Sequence, residues 1–177
     1  MKTVTRLFDI PEYQLEHYPA DDALCFKQNG QWIKYSIQGI IEQSDKVSRG
    51  LLAMGFQPND KIALIVGMDR PEWHIMDYGI LQIGAVGVPM YPTISAKDYE
   101  YIFNDAQVKM CVVSDKELYD KVMKAKPNCS SLKEVYTFDE VAGAKSWKEI
   151  LQAASGTEQQ QVDAIKETVK PDDLATL

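Results

Sequence analysis

The feature that most constrains the fold is a series of short apolar runs separated by segments with helical spacing. The clearest run is "KIALIVG" at residues 61–67, where apolar residues follow one another without the alternation of a half-exposed strand. Further strand-like runs occur at residues 85–89, in "KMCVVS" and in "EVYTF". Because strands that alternate with helices usually form a parallel sheet covered on its faces, this order predicts an α/β domain with a largely parallel sheet flanked by helices.

The segments between these runs carry helix start signals. Ser36 is predicted to cap the first helix, and Gly55 to end it. Its predicted inner face comprises Ile37, Ile40, Ile41, Ser44, Val47, Ser48, Leu51 and Leu52. Later helices are predicted to begin at Asp69-Arg70-Pro71-Glu72, at Ser95 with Asp98, and at Ser114 with Glu117, each pairing a capping residue with an acidic residue three positions on. Their predicted inward residues are Tyr99, Ile102, Phe103 and Ala106, then Leu118, Val122 and Met123, and in a last short helix Trp147, Ile150, Leu151 and Ala154.

The two ends of the chain are less regular. Residues 1–22 are predicted to form an irregular N-terminal arm, because Pro11 and Pro19 interrupt them. Residues 23–35 are predicted to form a β-hairpin around an Asn29-Gly30 turn. Residues 155–170 are polar and weakly helical, residues 170–173 indicate a turn, and "LATL" at 174–177 is typical of a strand that begins without a partner. We therefore expect one α/β domain over residues 23–177, preceded by the N-terminal arm.

Composition argues against several classes of partner and location. The net charge of −7 disfavours nucleic acid and anionic lipid surfaces. There is no secretory signal and no apolar segment long enough to cross a bilayer, so a cytoplasmic location is expected. The three cysteines lack metal-ligand spacing, and Cys25 and Cys111 lie in apolar runs that predict buried thiols.

The residues by themselves identify no active site. Parallel sheets bind ligands beyond the carboxyl ends of their strands, so the loops after Val66, Pro89 and Ser114 are the expected places. None of them carries a glycine-rich phosphate-binding motif, and "GAVG" at 84–87 precedes a strand, which indicates close packing instead. No catalytic, cofactor-binding or metal-binding residue is therefore assigned.

Other polar and methionine residues have ordinary structural explanations. His17 and His74 are too few and too far apart for a zinc site, and His74 is predicted to pack in a buried helix. Arg70 could bind an anion, although a surface cation at a helix start is the simpler interpretation. The aspartate pairs 21–22 and 172–173 are predicted turn residues. Core filling is predicted for the methionines, which would also suit a wall against a flexible acyl chain: Met54, Met68, Met76, Met90, Met110 and Met123.

A family resemblance adds to this picture. The segment at residues 69–115 contains "RPEW", "GAVGVPMYPT" and "YIFNDA", and it resembles the N-terminal region of adenylate-forming enzymes, specifically long-chain fatty-acid–CoA ligases. The resemblance is good over residues 23–115 and looser elsewhere. It implies the incomplete N-terminal subdomain of an AMP-binding domain. In that family a segment like "DDLATL" leads into a Ser/Thr/Gly-rich loop that binds ATP phosphates, so the chain resembles an enzyme truncated before its phosphate-binding loop.

The resemblance also implies a reaction for the parent enzyme. A long-chain fatty acid would attack ATP to give acyl-adenylate and pyrophosphate, and CoA would then displace AMP, with Mg²⁺ neutralising phosphate charge. No position in this chain matches a catalytic residue of the family. The fragment is therefore expected to be inactive alone, to bind none of these cofactors tightly, and to self-associate, as a homodimer or larger, through exposed apolar surface. Since the parent handles lipid, peripheral membrane contact stays open.

Two alternatives stay open as well. One is a complete, non-catalytic α/β module that binds a ligand or a partner, against which the unpaired "LATL" argues. The other is a ligase of the same superfamily for an aryl, short-chain or carrier-bound acid. Within the superfamily, "VPMYPT" is the segment that favours long-chain substrates.

Overall fold

The computed structural model describes residues 4–28 and 30–177. The N-terminal arm is partly helical, so the prediction of an irregular arm is wrong over this stretch. A short 3-10 turn at Leu7–Asp9 leads into helix α1 (Ile10–His17). Pro11 does not interrupt α1 because it lies in the first turn, where a backbone N–H would have no helical partner.

The predicted hairpin is confirmed. Strands β1 (Leu24–Gln28) and β2 (Gln31–Tyr35) pair in antiparallel fashion, with Leu24 opposite Tyr35. Asn29 of the predicted turn lies outside the described residues. Cys25 is exposed, which contradicts its predicted burial, because the hairpin leaves most of its side chains accessible to solvent.

Helix α2 (Ile37–Ala53) forms as its sequence predicts. The Ser36 hydroxyl accepts a hydrogen bond from the Gly39 N–H at 3.0 Å, and this caps the helix. Gly55 follows the last turn with φ +86°, a left-handed conformation that glycine adopts without strain. The buried face carries Ile37, Ile40, Ser44, Val47, Ser48 and Leu51.

The main sheet has five parallel strands, and this confirms the predicted architecture. The strands are β3 (Lys61–Ile65), β4 (Val86–Met90), β5 (Val108–Val113), β6 (Glu134–Thr137) and β7 (Lys145–Ser146). Their order across the sheet is β4-β3-β5-β6-β7. The chain therefore moves outward from β3 to β4 and then crosses back to place β5 on the other side of β3.

Five further helices connect or follow these strands. They are α3 (Pro71–Gln82), α4 (Ala96–Asp105), α5 (Lys116–Ala125), α6 (Lys148–Ala153) and α7 (Gln159–Thr168). The predicted capping box of Ser95 and Asp98 is confirmed at α4. Among residues 4–28 and 30–177, every helix is too short or too polar to span a bilayer.

Two predicted caps are wrong. Helix α5 is capped by Asp115, whose carboxylate accepts from the Leu118 N–H at 3.1 Å, and not by Ser114. Helix α3 begins after Arg70 without a side-chain cap, and Glu72 binds the Arg70 side chain instead of completing a capping box. In both places the side chain that was expected to bind a backbone N–H three positions away has another partner. The Ser114 hydroxyl binds Gly67 and Asp115, and the Glu72 carboxylate binds Arg70.

Two apolar cores lie on opposite faces of the sheet. Because side chains alternate along a strand, Ile62 and Leu64 enter the core with α2, α3 and α6, whereas Ala63 and Ile65 enter the core with α4 and α5. Met76 and Met110 are fully buried in the first core, as predicted. Met68 and Met123 are 72% and 36% exposed, so core filling is wrong for these two and Met123 does not point inward.

The C-terminal segment joins the sheet, so the prediction that "LATL" lacks a partner is wrong. Thr176 forms a parallel bridge with Gly87 of β4. The Gly87 N–H donates to the Ala175 carbonyl at 3.0 Å, and the Leu177 N–H donates to the Gly87 carbonyl at 3.1 Å. The preceding turn is confirmed, since the Asp173 N–H donates to the Lys170 carbonyl at 3.2 Å.

Candidate functional site at the carboxyl end of the sheet

The topology selects one end of the sheet as the place for a ligand. Helix α3 follows β3 on one face, and α5 follows β5 on the other, so the connections leave these neighbouring strands toward opposite faces. In open α/β sheets such a reversal leaves a crevice beyond the carboxyl ends of the two strands. The crevice here is formed by the loops that follow β3, β5 and β6, which include two of the three loops predicted from sequence.

Ser114 joins the three loops of the crevice. Its hydroxyl accepts a hydrogen bond from the Gly67 N–H at 3.1 Å and donates one to the Asp115 carboxylate at 2.6 Å. Its backbone N–H donates to Ile65, and its carbonyl accepts from the Asp139 N–H, each at 3.0 Å. Because these polar atoms are engaged within the fold, Ser114 acts as a structural connector.

Arg70 is buried, so its interpretation as a surface cation at a helix start is wrong. Only 8% of the residue is exposed. Its guanidinium donates to the Glu72 carboxylate through two nitrogens at 3.1 Å and to Asp139 at 2.9 Å. Burial lowers the pKa of Arg70, but the hydrogen bonds to Glu72 and Asp139 outweigh it and the net shift is upward.

Aromatic rings complete the surroundings of this cation. The Arg70 guanidinium carbon lies 5.1 Å from the Phe138 ring centroid and 5.5 Å from that of Phe26 in the hairpin. The ion pairs and rings connect the hairpin, α3 and the loop after β6. With two carboxylates already on the guanidinium, little charge is left to attract an anion.

The crevice as this chain builds it does not fit the phosphates of ATP. Asp115 and Asp139 place carboxylates at its floor, and Asp69 adds an exposed third on the loop after β3. The buried cation described above is neutralised, and no run of glycine N–H groups faces the crevice from these loops. In the described part of the chain no group of three or more His, Cys, Asp or Glu side chains could hold a metal ion.

The two histidines are held in separate helices. The His74 ring packs edge-on against Trp73 with centroids 5.2 Å apart, in keeping with a packing role. Burial lowers the pKa of His74, with the charge of Asp69 acting in the opposite direction. His17 stacks on the Tyr13 ring at 4.0 Å and its Nδ1 lies 2.9 Å from the Tyr13 carbonyl.

The loop after β4 is held by two side chains that sequence reasoning did not single out for this role. The Tyr99 hydroxyl donates to the Tyr91 carbonyl at 3.0 Å, and the Lys121 ammonium donates to the Pro92 carbonyl at 2.7 Å. These bonds fix the "VPMYPT" segment and leave the Tyr91 side chain 79% exposed. Burial raises the pKa of Tyr99 to about 12, so it stays a hydrogen-bond donor at neutral pH.

Asp77 is the polar residue that the sequence reasoning missed. It lies on α3 with its Oδ1 3.2 Å from the point that a Cβ on Gly87 would occupy. Burial raises the pKa of Asp77 to about 6. The available signal was a single acidic residue within the apolar stretch "HIMDYGI".

Comparison with known proteins assigns the family. The sequence profile of the AMP-binding enzymes matches residues 11–177. The chain belongs to the AMP-binding enzyme family. It is similar to the long-chain-fatty-acid–CoA ligase ACSBG2 of Xenopus laevis, with 27% identity over 160 residues that cover 88% of this chain and 22% of the relative. It is also similar to the long-chain-fatty-acid–CoA ligase FadD15 of Mycobacterium bovis, with 25% identity over 84% of this chain and 24% of the relative.

Solved structures share the fold. The anthranilate CoA ligase AuaEII, solved with anthranoyl-AMP, superposes with a TM-score of 0.70 at 19% identity, over 86% of this chain and 28% of that one. A putative long-chain-fatty-acid CoA ligase from Rhodopseudomonas palustris gives 0.69 at 19% identity, over 81% of this chain and 35% of that one. This member of the AMP-binding enzyme family spans about a quarter of the length of the curated relatives it matches.

Proposed function

We propose that this chain is part of a long-chain fatty-acid–CoA ligase. In the whole enzyme, the carboxylate of a long-chain fatty acid attacks the α-phosphate of ATP, which forms acyl-adenylate and releases pyrophosphate. The thiol of CoA then attacks the acyl carbonyl, which forms the thioester and releases AMP. The enzyme works in the cytoplasm, with peripheral access to membranes where its lipid substrate lies.

The observation that carries this proposal is the similarity of the chain along most of its length to long-chain-fatty-acid–CoA ligases. The fold supports it, because β3 and β5 are parallel neighbours whose following helices lie on opposite faces of the sheet, and such a switch point is suited to a ligand at the carboxyl end. The exposed Tyr91 in the clamped "VPMYPT" segment supports a contact surface beside that end.

In this proposal the chain is a structural half of the nucleotide-binding domain and has no activity alone. The carboxylates of Asp115 and Asp139 would repel phosphate, and the Arg70 cation is occupied by its own ion pairs. Transfer of the adenylyl group from ATP to the fatty carboxylate requires cations and backbone donors aimed at the phosphate that is transferred. Those groups must come from parts of the parent protein other than residues 1–177.

Exchange of labelled pyrophosphate into ATP tests the proposal. Two proteins are compared, the 177-residue chain and the full-length parent, each with Mg²⁺ and with palmitate, acetate or anthranilate as the acid. We expect palmitate-dependent exchange by the parent and none by the chain. Exchange that depends on anthranilate or acetate and not on palmitate would reassign the substrate, and exchange by the chain alone would contradict its inactivity.

A further inference from the structure

A cavity lies between the N-terminal arm and the segment that follows α7. Its volume is about 460 Å³, and its wall combines residues 4–10, the loop before β3, the turn between α3 and β4, and residues 168–175. It therefore lies at the amino ends of β3 and β4, the end of the sheet opposite to the crevice. Small-molecule sites in proteins have volumes of roughly 300–1,000 Å³, so this cavity is large enough to hold a ligand.

Both the floor and the rim of the cavity are apolar. Core side chains form the floor, where Phe8, Leu81 and Ala85 are 3%, 5% and 1% exposed. The rim carries large apolar side chains that the fold leaves partly exposed: Val4, Leu7, Ile10 and Leu174, at 39%, 48%, 41% and 53%. Exposed apolar side chains that surround one concave surface favour an apolar ligand there.

Arg6 holds the two sides of this cavity together. Its guanidinium donates to the Asp9 carboxylate at 2.8 Å and to the Val169 carbonyl at 3.2 Å, and it also donates to the Lys166 carbonyl. These bonds join the N-terminal arm to the end of α7, so the cavity is built into the fold. Because its nitrogens are engaged in this way, the Arg6 guanidinium has little capacity left for a ligand.

Lys170 provides a cation that is available to a ligand. It lines the cavity and is exposed, and among residues 4–28 and 30–177 its ammonium has no hydrogen-bond or ion-pair partner. The neighbouring Asp173 carboxylate accepts a hydrogen bond from the Lys170 backbone N–H at 2.8 Å. An ammonium without a partner beside an apolar cavity attracts a molecule that carries both an alkyl chain and a negative charge.

We propose that this cavity binds a medium-chain carboxylate, with its alkyl chain against the apolar wall and its carboxylate beside the Lys170 ammonium. A chain of roughly eight to twelve carbons fits, because a cavity of about 150 Å³ holds one benzene ring and this cavity is about three times as large. The ligand contacts both the N-terminal arm and the segment that leads to the bridge between Thr176 and Gly87. The inference goes beyond the proposed function and does not depend on it.

The test is a titration of the 177-residue chain with decanoate below its micelle concentration, followed by nuclear magnetic resonance of carbon-labelled methyl groups. We expect saturable shifts at the methyl groups of the rim, with a dissociation constant below about 2 mM. Nuclear Overhauser effects from the alkyl chain of decanoate to Leu7, Ile10 and Leu174 should accompany them.

One pair of variants tests the apolar rim. We expect Leu174→Ser to weaken decanoate binding by roughly fivefold to tenfold, because the ligand loses contact with about half of a leucine side chain. Leu177→Ser is the matched control, since this leucine is 56% exposed and lies outside the cavity, and it should leave the affinity unchanged.

A second pair of variants tests the charge. We expect Lys170→Gln to weaken binding by roughly twofold to fivefold, the contribution of an exposed ion pair, and Lys124→Gln, at an exposed lysine of α5, to leave it unchanged. Because the side chains replaced in both pairs are exposed, the fold should stay intact, which an amide fingerprint spectrum verifies.

Three results would overturn the proposal. Decanoate could cause no saturable shift at the methyl groups of the rim, or its strongest shifts could lie elsewhere on the surface. Leu174→Ser and Leu177→Ser could weaken binding equally, which would place the alkyl chain outside the cavity. Equal affinities of Lys170→Gln and Lys124→Gln for decanoate would show that the carboxylate does not lie beside Lys170.

Discussion

At the scale of single residues, the fold treats one buried and one partly buried ionisable side chain in different ways. The Arg70 guanidinium is held by Glu72 and Asp139, so its charge is retained at a site where only 8% of the residue is exposed. The Asp77 carboxylate receives no such partner from the described residues. The difference should appear in how stability depends on pH.

Replacement of Asp77 by asparagine tests the cost of the buried charge. Because the pKa of Asp77 is raised to about 6, its contribution to stability is fully present at acid pH, below the pKa of an unfolded aspartate, and is lost as pH rises through 6. Between acid pH and pH 8, we expect the free energy of unfolding of Asp77→Asn to increase, relative to that of the native chain, by on the order of 2–3 kcal/mol. Urea unfolding across that range measures the gain.

The matched control for this prediction is Asp98→Asn, at an exposed aspartate whose pKa is lowered by hydrogen bonds to Ser95. This variant should show the opposite sign, since the native carboxylate stabilises α4 once it is ionised. A stability difference for Asp77→Asn that stays constant with pH would contradict the raised pKa.

The three cysteines should differ sharply in reactivity. Cys25 is exposed, whereas Cys111 and Cys129 are buried, and burial raises the pKa of both buried thiols. Since the thiolate is the reacting form, we expect one thiol to react rapidly with a disulfide reagent in the native state and two to react only on unfolding. Cys25→Ser should abolish the rapid phase, and rapid reaction of more than one thiol would contradict the described burial.

At the scale of secondary-structure elements, two glycines set how closely α2 packs. A Cβ at Gly79 of α3 would lie 2.4 Å from Val47 of α2, and a Cβ at Gly50 of α2 would lie 1.9 Å from the Ile150 carbonyl oxygen of α6. Both values are far below contact distance. These glycines therefore allow the helices on this face of the sheet to approach one another.

Gly50→Ala is expected to destabilise the protein even though alanine favours helices. The intrinsic gain is about 1 kcal/mol, but the clash is with backbone, which cannot rotate away, so we expect a net loss of roughly 2–3 kcal/mol. The midpoint of thermal or urea unfolding measures it. Gly156→Ala is the control, because its Cβ would meet Ala53 at an ordinary 3.7 Å; equal effects of the two changes would rule out close helix packing as the cause.

At the scale of the whole molecule, several large apolar side chains lie on the surface, and we expect the chain to self-associate through them. The most exposed are Tyr91, Met68, Tyr101, Tyr18 and Trp32, at 79%, 72%, 69%, 68% and 64%. The net charge of −7 opposes association, so added salt should promote it. Sedimentation or light scattering over a range of concentrations measures the equilibrium.

Two variants identify the surface through which the chain associates. Trp32→Ser removes an exposed ring from the hairpin, and Tyr91→Ser removes one from the loop after β4. The variant that stays monomeric identifies the surface that forms the interface. A monomer at high concentration and high salt would contradict self-association.

The elements and their order could be predicted from sequence because helix periods, strand runs and caps such as Ser36 and Ser95 depend on residues a few positions apart. Motifs at residues 69–115 likewise pointed to the AMP-binding family, which the profile match establishes.

The tertiary structure alone decided which groups meet. Arg70 finds Asp139 sixty-nine positions away, and Thr176 pairs with Gly87 across the edge of β4. The apolar neighbours of Cys25 in sequence predict that it is buried. It is exposed, because few other residues pack against the hairpin that carries it. Burial and pairing of this kind follow from the order of strands and the packing of helices on them, and local spacing does not contain that information.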